Sequence, residues 1–318
     1  STTYIANLLI TFFKLLASIA TFIITWFGSF IDMLIKIGGY VVGIIDGTGT
    51  ITAPGGALNG GFSNPLTINT AGTLTFASGW FVHIGNFTYT AAAGTVDASA
   101  ATLLCYDTST LACSGLTWGA ITLNTGGDTR TITLSENLNT NGLLTLGGNV
   151  LTLSGHAINV SGGLTITPTT GGAIGTTSIN LIGTGTITGS ASSAAISNNL
   201  TINTAGTYTF AAGTFGYYAG TITYTGGTVD CSTNNSTLNC PAGATFACSG
   251  INWNHVKLLG ATQTFTFSNT FDVNGLLSLG STTNSIVLTG STINASAGVR
   301  YVGTTGLVTG TTVINVDG

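Results

Sequence analysis

The sequence predicts a mainly β protein with one long N-terminal apolar α-helix, followed by two tandem β-solenoid-like repeats of about 135 residues each. Three observations predict this class: an almost uncharged composition, an apolar segment at the start of the chain, and a phrase that occurs twice. LTINTAGTLTF begins at Leu66, and LTINTAGTYTF begins at Leu200. A fixed internal period is the signature of stacked repeat architectures. Two β-sandwich domains remain the alternative fold.

The composition favours β-structure and excludes some partners. Only 14 of the 318 residues are charged and 47 are glycine, whereas about 25% of residues are charged in an ordinary globular protein. Low charge together with abundant Thr, Val, Ile and Gly is typical of short strands joined by tight turns. A net charge of −4 leaves no basic patch to neutralise phosphates. We therefore expect no nucleic-acid partner.

The first element, residues 1–46, is an apolar segment that we interpret as a helix over residues 4–45. A helix of that length would be about 63 Å long, twice the hydrocarbon thickness of about 30 Å. Asp32 and Lys36 are four residues apart and could pair on one helix face. The residues that would decide how such a helix is held are Lys14, Trp26, Asp32 and Lys36.

Two interpretations of this segment stay open. In one, it is a membrane anchor, and Lys14 reaches the interface or finds a polar partner. In the other, it is the core of an assembly of identical helices, which an all-round apolar helix requires. A cleaved signal peptide fits less well, because the segment has neither a basic start nor a short apolar region. The predicted partners of residues 4–45 are therefore membrane lipid or identical subunits.

The second and third elements are repeat unit 1, residues 47–182, and repeat unit 2, residues 183–318. Matching phrases recur at offsets of 133 to 136 residues, so insertions must fall in loops. Within each unit, apolar and polar residues alternate over four to eight positions, which predicts strands with one buried face. Short strands at regular intervals suit a solenoid, whose turns bury their apolar faces only against one another. The matching phrases begin at Gly47 and Gly183, Thr95 and Thr228, Leu111 and Phe246, and Asn139 and Asp272.

These rungs, such as GTGTIT, LTINTAG and GLLTLG, resemble the repetitive β-solenoid surface and fibre proteins, namely filamentous adhesins and phage-fibre proteins. The resemblance covers residues 47–318. It implies an extracellular, elongated, non-catalytic protein with a structural or adhesive role. A long apolar helix before a β-rich part resembles the layout of type IV pilins, although Ile5 stands where bacterial pilins carry Glu.

Cysteines recur as a spaced pair in both units, and we predict that each pair forms a disulfide in an oxidising, extracellular environment. A metal site is the alternative, but no His shares the spacing, so we expect no metal or cofactor. Cys231 has no counterpart in unit 1; it is a buried thiol or an alternative partner of Cys240. The disulfide candidates are Cys105, Cys113, Cys240 and Cys248.

Aromatic residues recur at matching points of the two units and have two interpretations. They form the core between stacked turns, or they form an exposed patch that contacts a neighbouring subunit or a sugar. The sequence does not separate the two. The candidate contact residues are Trp80, Trp118, Tyr217, Tyr218 and Trp253.

The sequence predicts no enzyme and no catalytic residue. Glycoside hydrolysis needs two carboxylates a short distance apart, and the acidic cluster of unit 1, Asp128 and Glu136 around Arg130, is not repeated in unit 2. None of the three histidines recurs in both units. A nucleophile paired with a base and a phosphate-binding loop are also missing from the sequence.

These observations favour a structural subunit of an extracellular surface filament or fibre. It would assemble with identical subunits through the N-terminal helix, and its β-repeats would project outward. The alternative is a membrane-anchored adhesin or a viral fibre that binds a host glycan or receptor. Both place the protein outside the cell, at a cell surface or on a virion.

Overall fold

Each turn of the chain is made of three short β-strands, one in each of three parallel sheets that we name A, B and C. The chain visits the sheets in that order, turn after turn, and forms one continuous β-solenoid. The computed structural model describes residues 14, 18, 43–45, 49–51, 66–83, 85–90, 94–113, 115–123, 128–167, 172–189, 195–232, 235–260, 262–280, 285–303 and 308–317.

Sheet A contains β1 (Gly43–Ile45), β3 (Leu66–Ile68), β6 (Phe87–Tyr89), β8 (Ser109–Cys113), β10 (Thr129–Leu134), β13 (Val150–Gly155), β16 (Gly172–Gly175), β19 (Ala195–Ile196), β21 (Gly213–Gly216), β23 (Ser236–Cys240), β26 (His255–Leu259), β29 (Leu277–Gly280) and β32 (Val299–Tyr301). The step from β19 to β21 is made by the single bridge between Ile196 and Tyr217.

Sheet B contains β2 (Gly49–Ile51), β4 (Thr73–Phe76), β11 (Leu138–Thr140), β14 (Ile158–Val160), β17 (Ile179–Leu181), β24 (Thr245–Ala247), β27 (Gln263–Phe267), β30 (Ile286–Gly290) and β33 (Val308–Gly310). Sheet C contains β5 (Gly79–His83), β12 (Leu144–Leu146), β15 (Leu164–Ile166), β18 (Gly185–Thr188), β25 (Asn252–Trp253), β28 (Phe271–Val273), β31 (Ile293–Ala295) and β34 (Ile314–Val316). Four long strands turn a corner and lie first in sheet B and then in sheet C: β7 (Thr95–Cys105), β9 (Thr117–Leu123), β20 (Leu200–Phe210) and β22 (Thr221–Asp230).

Stacking of like residues on like residues builds the core. Partners in successive rungs lie between 18 residues apart, as Thr237 and His255 do, and 25 apart, as Gly49 and Leu74 do. Alternation sends every second side chain inward, so Leu144 stacks directly on Leu164. Both side chains are fully buried, and each buried side chain of this size contributes about 1.5–3 kcal/mol. The stability of a turn therefore comes from its two neighbouring turns.

The prediction of two tandem repeat domains is wrong, because the sheets continue across the predicted boundary between residues 182 and 183. Leu164, before the boundary, pairs with Ile187, after it. Ile179 likewise pairs with Leu200. Parallel ladders therefore connect the two units as firmly as they connect turns within a unit, and the result is one solenoid rather than two sandwiches or two solenoids. Residues 47–182 and 183–318 remain units of sequence.

The repeat itself has an unexpected length, six turns plus one strand. From β3, which begins at Leu66, six steps up sheet A lead to β19. The repeat equivalent of Leu66 is Leu200, which begins the next strand, β20, in sheet B. Trp118 in sheet B and its equivalent Trp253 in sheet C are displaced in the same way. Equivalent strands of the two units therefore lie on adjacent sides of the solenoid.

The predicted N-terminal apolar helix is also wrong. Its last three residues form β1, which pairs in parallel with β3 in the register Gly43 to Leu66. The β-branched pair Ile44-Ile45 favours a strand where a neighbouring strand is available to pair. Before Gly43 only Lys14 and Ser18 are described; both are exposed, and two isolated positions do not make a helix element.

The other residues that the helix prediction named, Trp26, Asp32 and Lys36, lie outside the described residues. Within the part of the chain that is described, no helix is long and apolar enough to cross a bilayer.

Candidate functional site

The outward side chains of the strands form polar rows along the solenoid. In sheet B, Asn139, Asn159 and Asn180 occupy the middle positions of β11, β14 and β17. Asn159 Nδ2 donates to Asn139 Oδ1 at 2.8 Å, and Asn180 Nδ2 donates to Asn159 Oδ1 at 2.9 Å. Stacked amides of this kind are typical of parallel, in-register strands. We call these three residues the first amide row.

A second amide row is the repeat equivalent of the first, and it lies in sheet C. Asn294 Nδ2 donates to Asp272 Oδ1 at 2.7 Å, and Asn315 Nδ2 donates to Asn294 Oδ1 at 3.0 Å. The triplets that carry both rows, such as INV, INL and INA, are visible in the sequence. Sequence reasoning missed the rows because it followed the apolar residues of each strand.

Threonines form similar rows, which leave the sides of the solenoid neutral. Thr122, Thr145, Thr165 and Thr188 follow one another in register along sheet C. The sides therefore offer threonine hydroxyls and amide groups, and the amides already bond to the neighbouring rung. Such a surface can pack against an uncharged partner without like-charge repulsion.

Replacing the central amide of the first row should cost stability. We expect Asn159→Ala to lower the free energy of unfolding by about 1–2 kcal/mol, because it removes two side-chain hydrogen bonds. Urea denaturation followed by circular dichroism measures the loss. The matched control is Thr165→Ala, an outward residue one strand later in the chain, which should change stability by less than about 0.5 kcal/mol. Equal losses for the two variants would contradict a role of the amide row.

The charged cluster of unit 1 is a structural ion pair rather than a paired-carboxylate site. Arg130 lies between two acids, with Nη1 at 3.0 Å from Asp107 Oδ1 and Nη2 at 2.9 Å from Asp128 Oδ2. One guanidinium thus pairs with both carboxylates, so the three groups keep one net negative charge, and it links the turns that contain β8 and β10. Glu136, the other acid of the predicted cluster, is not one of these partners, and its Oε2 is buried without a hydrogen-bond partner among the described residues. Its influence reaches Cys113 instead.

The described ranges contain no cluster of histidines and no metal-binding site. His255 is held by two hydrogen bonds: Leu276 N donates to Nδ1 at 2.9 Å, and Nε2 lies 3.0 Å from Asn235 Oδ1. His156 is exposed, and the side chain of His83 lies outside the described residues. Among described residues, no group of three potential metal ligands comes together.

The acidic residue that recurs in TVDAS and TVDCS has a local role in both units. Asp97 Oδ1 accepts a hydrogen bond from Ser99 N at 3.0 Å, and Asp230 Oδ1 accepts one from Ser232 N at 2.9 Å. Bonds from Ser99 lower the pKa of Asp97. Both carboxylates thus stabilise a turn two residues long.

The predicted disulfides are not present: Cys105, Cys113, Cys240 and Cys248 are all free and buried, as is Cys231. The eight-residue spacing places Cys105 and Cys113 at the ends of β7 and β8, and it places Cys240 at the end of β23 and Cys248 directly after β24, so neither pair closes a loop. Their side chains point into the core, where a thiol acts as a small apolar group.

Burial raises the pKa of Cys113, and likewise that of Cys248, to about 12. The nearby indole groups of Trp118 and Trp253 act in the opposite direction. Burial also raises the pKa of Cys105, Cys231 and Cys240.

The thiols should be unreactive in the folded protein. We expect no reaction with an aromatic disulfide reagent at pH 8 and reaction of all 5 cysteines in denaturant without reductant. Fewer than 5 under those conditions would reveal a disulfide. The pKa of the Cys113 thiol is higher in the folded protein than the unfolded value of about 8.5. The protonated thiol therefore stabilises the fold at pH values below about 8.5, and this contribution is lost as the pH rises from there towards 12. The melting temperature should therefore fall over that interval, and less steeply for the double variant Cys113→Ala, Cys248→Ala.

Three of the five candidate contact aromatics lie in the core. Trp118, Tyr217 and Trp253 are buried, and the Tyr217 hydroxyl donates to Asn198 O at 3.0 Å. Tyr218 is half-buried, and the side chain of Trp80 lies outside the described residues. The core interpretation therefore holds for the three buried rings.

The rings stack across turns. The Trp118 ring centroid lies 5.3 Å from Phe76, 5.8 Å from Phe81 and 5.9 Å from Phe87. These partners come from β4, β5 and β6, so the indole ties together residues of three successive turns. Trp253 occupies the equivalent place in unit 2.

The exposed apolar residues concentrate at the last described turn, β32 to β34, which we call the terminal rung. Val299, Tyr301 and Val316 continue the inward columns of Leu277, Leu279 and Ala295, yet each is more than a third exposed. Among the described residues, the core columns are thus open to solvent here, and no described strand pairs with the outer edges of β32, β33 and β34. Exposed apolar residues with open strand edges are the features of a docking surface.

No known protein family, curated protein or solved structure matches this chain.

Proposed function

We propose that this chain is a structural subunit of a surface filament or fibre and that copies of it associate end to end. The observation that carries the proposal is the terminal rung. Its inward side chains Val299, Tyr301 and Val316 belong to the core columns, yet each is more than a third exposed in the part of the chain that the structure describes. An exposed apolar rung with open strand edges favours association with another apolar surface.

The sides of the solenoid support the same function. They carry neutral amide and threonine rows, and the net charge of the whole chain is −4, so copies repel one another weakly. An elongated stack of rungs with few charges suits a fibre rather than an enzyme. The location that we propose is extracellular, although the free thiols remove the argument that disulfides would have given for it.

The adhesin alternative expects exposed aromatic side chains that could stack on a sugar. Trp118, Tyr217 and Trp253 are buried, so these three rings do not favour it, and the exposed aromatic Tyr301 belongs to the terminal rung. Assembly at the terminal rung is the function for which a specific observation exists.

The experiment is negative-stain imaging and analytical ultracentrifugation of the 318-residue chain at increasing concentration. We expect filaments one solenoid wide, and we expect Val316→Asp to abolish them, because it places a charge in the apolar end. The control is Ile182→Asp, which changes an exposed apolar residue on the side of the solenoid and should leave end-to-end filaments intact. A chain that stays monomeric at all concentrations would overturn the proposal.

A further inference from the structure

The terminal rung has a close equivalent inside the chain, and that equivalent is covered. By the repeat, β15 and β17 correspond to β32 and β34. Inside the solenoid, β15 is covered by β18, where Leu164 pairs with Ile187, and β17 is covered by the start of β20, where Ile179 pairs with Leu200. All four of these side chains are buried. The internal junction between the units thus shows which strands fit on top of such a rung.

The chain carries those covering strands a second time. GTGTIT, which contains β18, recurs from Gly47 and contains β2, and LTINTAGT, which begins β20, recurs from Leu66 and begins β3. A second copy therefore presents, near the start of its solenoid, almost the same residues that close the junction inside each chain. This identifies the partner of the terminal rung as another copy of this chain.

Strand β1 already occupies the lower edge of β3, where a strand of another copy would have to pair. In each copy the lower edge of β3 is paired with β1, in the register Gly43 to Leu66. β1 is itself the repeat equivalent of β17 and β34, since Gly43 corresponds to Ile179 and to Ile314. Glycine offers no side chain to stack under Leu66, whereas Ile314 does. β34 is thus the better-matched strand for this position.

We infer that copies of this chain join head to tail by strand exchange, with β34 of one copy replacing β1 beneath β3 of the next. This inference rests on the proposed function and gives it a register. Ile314 would lie under Leu66, Asn315 under Thr67 and Val316 under Ile68, as Ile179, Asn180 and Leu181 lie under Leu200, Thr201 and Ile202. Val299 of the same rung would lie under Ile51, the counterpart of Ile187. Each joint would bury the apolar end that the free chain exposes.

Cysteine cross-linking tests this register. Asn315 and Thr67 both point outward, and paired strands lie about 4.8 Å apart, within the Cα separation of about 4.4–6.8 Å that a disulfide needs. In a single chain these residues lie at opposite ends of the solenoid, so any bond must join two copies. The native cysteines are buried and should not interfere. We expect the variant Asn315→Cys, Thr67→Cys to give a ladder of covalent oligomers on mild oxidation of filaments.

Two controls use the same Asn315→Cys change. Thr88 lies one rung above Thr67 on the same face, so Thr88→Cys should cross-link at least about tenfold less, because the doubled separation exceeds disulfide geometry. Ile44 lies one rung below Thr67, so Ile44→Cys would cross-link if copies stacked without exchange.

The outcomes separate the two proposals. A ladder with Thr67→Cys alone supports strand exchange. Filaments that cross-link through Ile44→Cys, or through none of the three positions, would overturn strand exchange but leave the fibre function standing. A chain of native circular dichroism that forms no filaments would overturn the fibre function and strand exchange with it.

Discussion

Trp118→Ala is expected to lower the free energy of unfolding of the first half of the solenoid by about 3–5 kcal/mol. Trp118 is fully buried, and its ring contacts Phe76, Phe81 and Phe87, which belong to neighbouring turns. Removing it leaves a cavity that β-strands fixed by ladders on three sides cannot close. Since turns are stabilised only by their neighbours, the loss should also lower the cooperativity of unfolding.

The measurement is urea denaturation followed by far-ultraviolet circular dichroism. Trp253→Ala is the matched variant, because Trp253 is the repeat equivalent on another face and is also buried. The two losses should be similar. Tyr301→Ala, at the exposed terminal rung, is the control and should change stability by less than about 0.5 kcal/mol. Losses below 1 kcal/mol for both tryptophans would show that the aromatic stacks do not hold the turns together.

Gly155→Ala should be nearly as damaging, by about 3 kcal/mol or more, for two separable reasons. Gly155 ends β13 with φ at +94°, a left-handed conformation that alanine resists. An added Cβ would also overlap the carbonyl oxygen of Leu134, in the rung below. The rungs can approach this closely only because the residue has no side chain.

Gly213→Ala separates the two effects. Gly213 has φ at +106° but no atom within 4 Å of an added Cβ, so only the backbone cost of about 1–2 kcal/mol should appear. Urea denaturation gives both values, and hydrogen exchange should show lost protection along β10 and β13 for the first variant alone. If the two variants lose equal stability, the close approach of the rungs is not what requires glycine at position 155.

Much of the fold is readable from the sequence because the solenoid is built from local alternation. LTL, LTI and INV each send two apolar side chains inward, and the repeated phrases align the rungs. The alternation Leu116-Thr117-Trp118 places the Trp118 ring in phase with a buried leucine, but the sequence alone left its burial undecided. Recurrence of this ring at matching points of the two units was equally compatible with a surface patch.

Other features could not be read. An apolar segment does not by itself distinguish a strand from a helix, so the strand at Gly43–Ile45 depends on the partner that tertiary structure supplies. Cysteine spacing does not say which way two side chains point around a corner, and both members of each pair point inward. The exposure of the side chains in the terminal rung could not be predicted from the sequence, because it depends on which strand packs above a given strand and not on that strand's own residues.

Because the repeat is six turns plus one strand, equivalent surfaces of the two sequence units do not lie on the same side of the solenoid. Had the unit been a whole number of turns, the amide rows of Asn159 and Asn294 would stand on one side, one above the other. Instead they stand on adjacent sides, a third of a turn apart. One molecule therefore presents such a row to neighbouring molecules in two different directions. Lateral contacts of this kind would tie rods into a branching mesh rather than align them in a flat sheet.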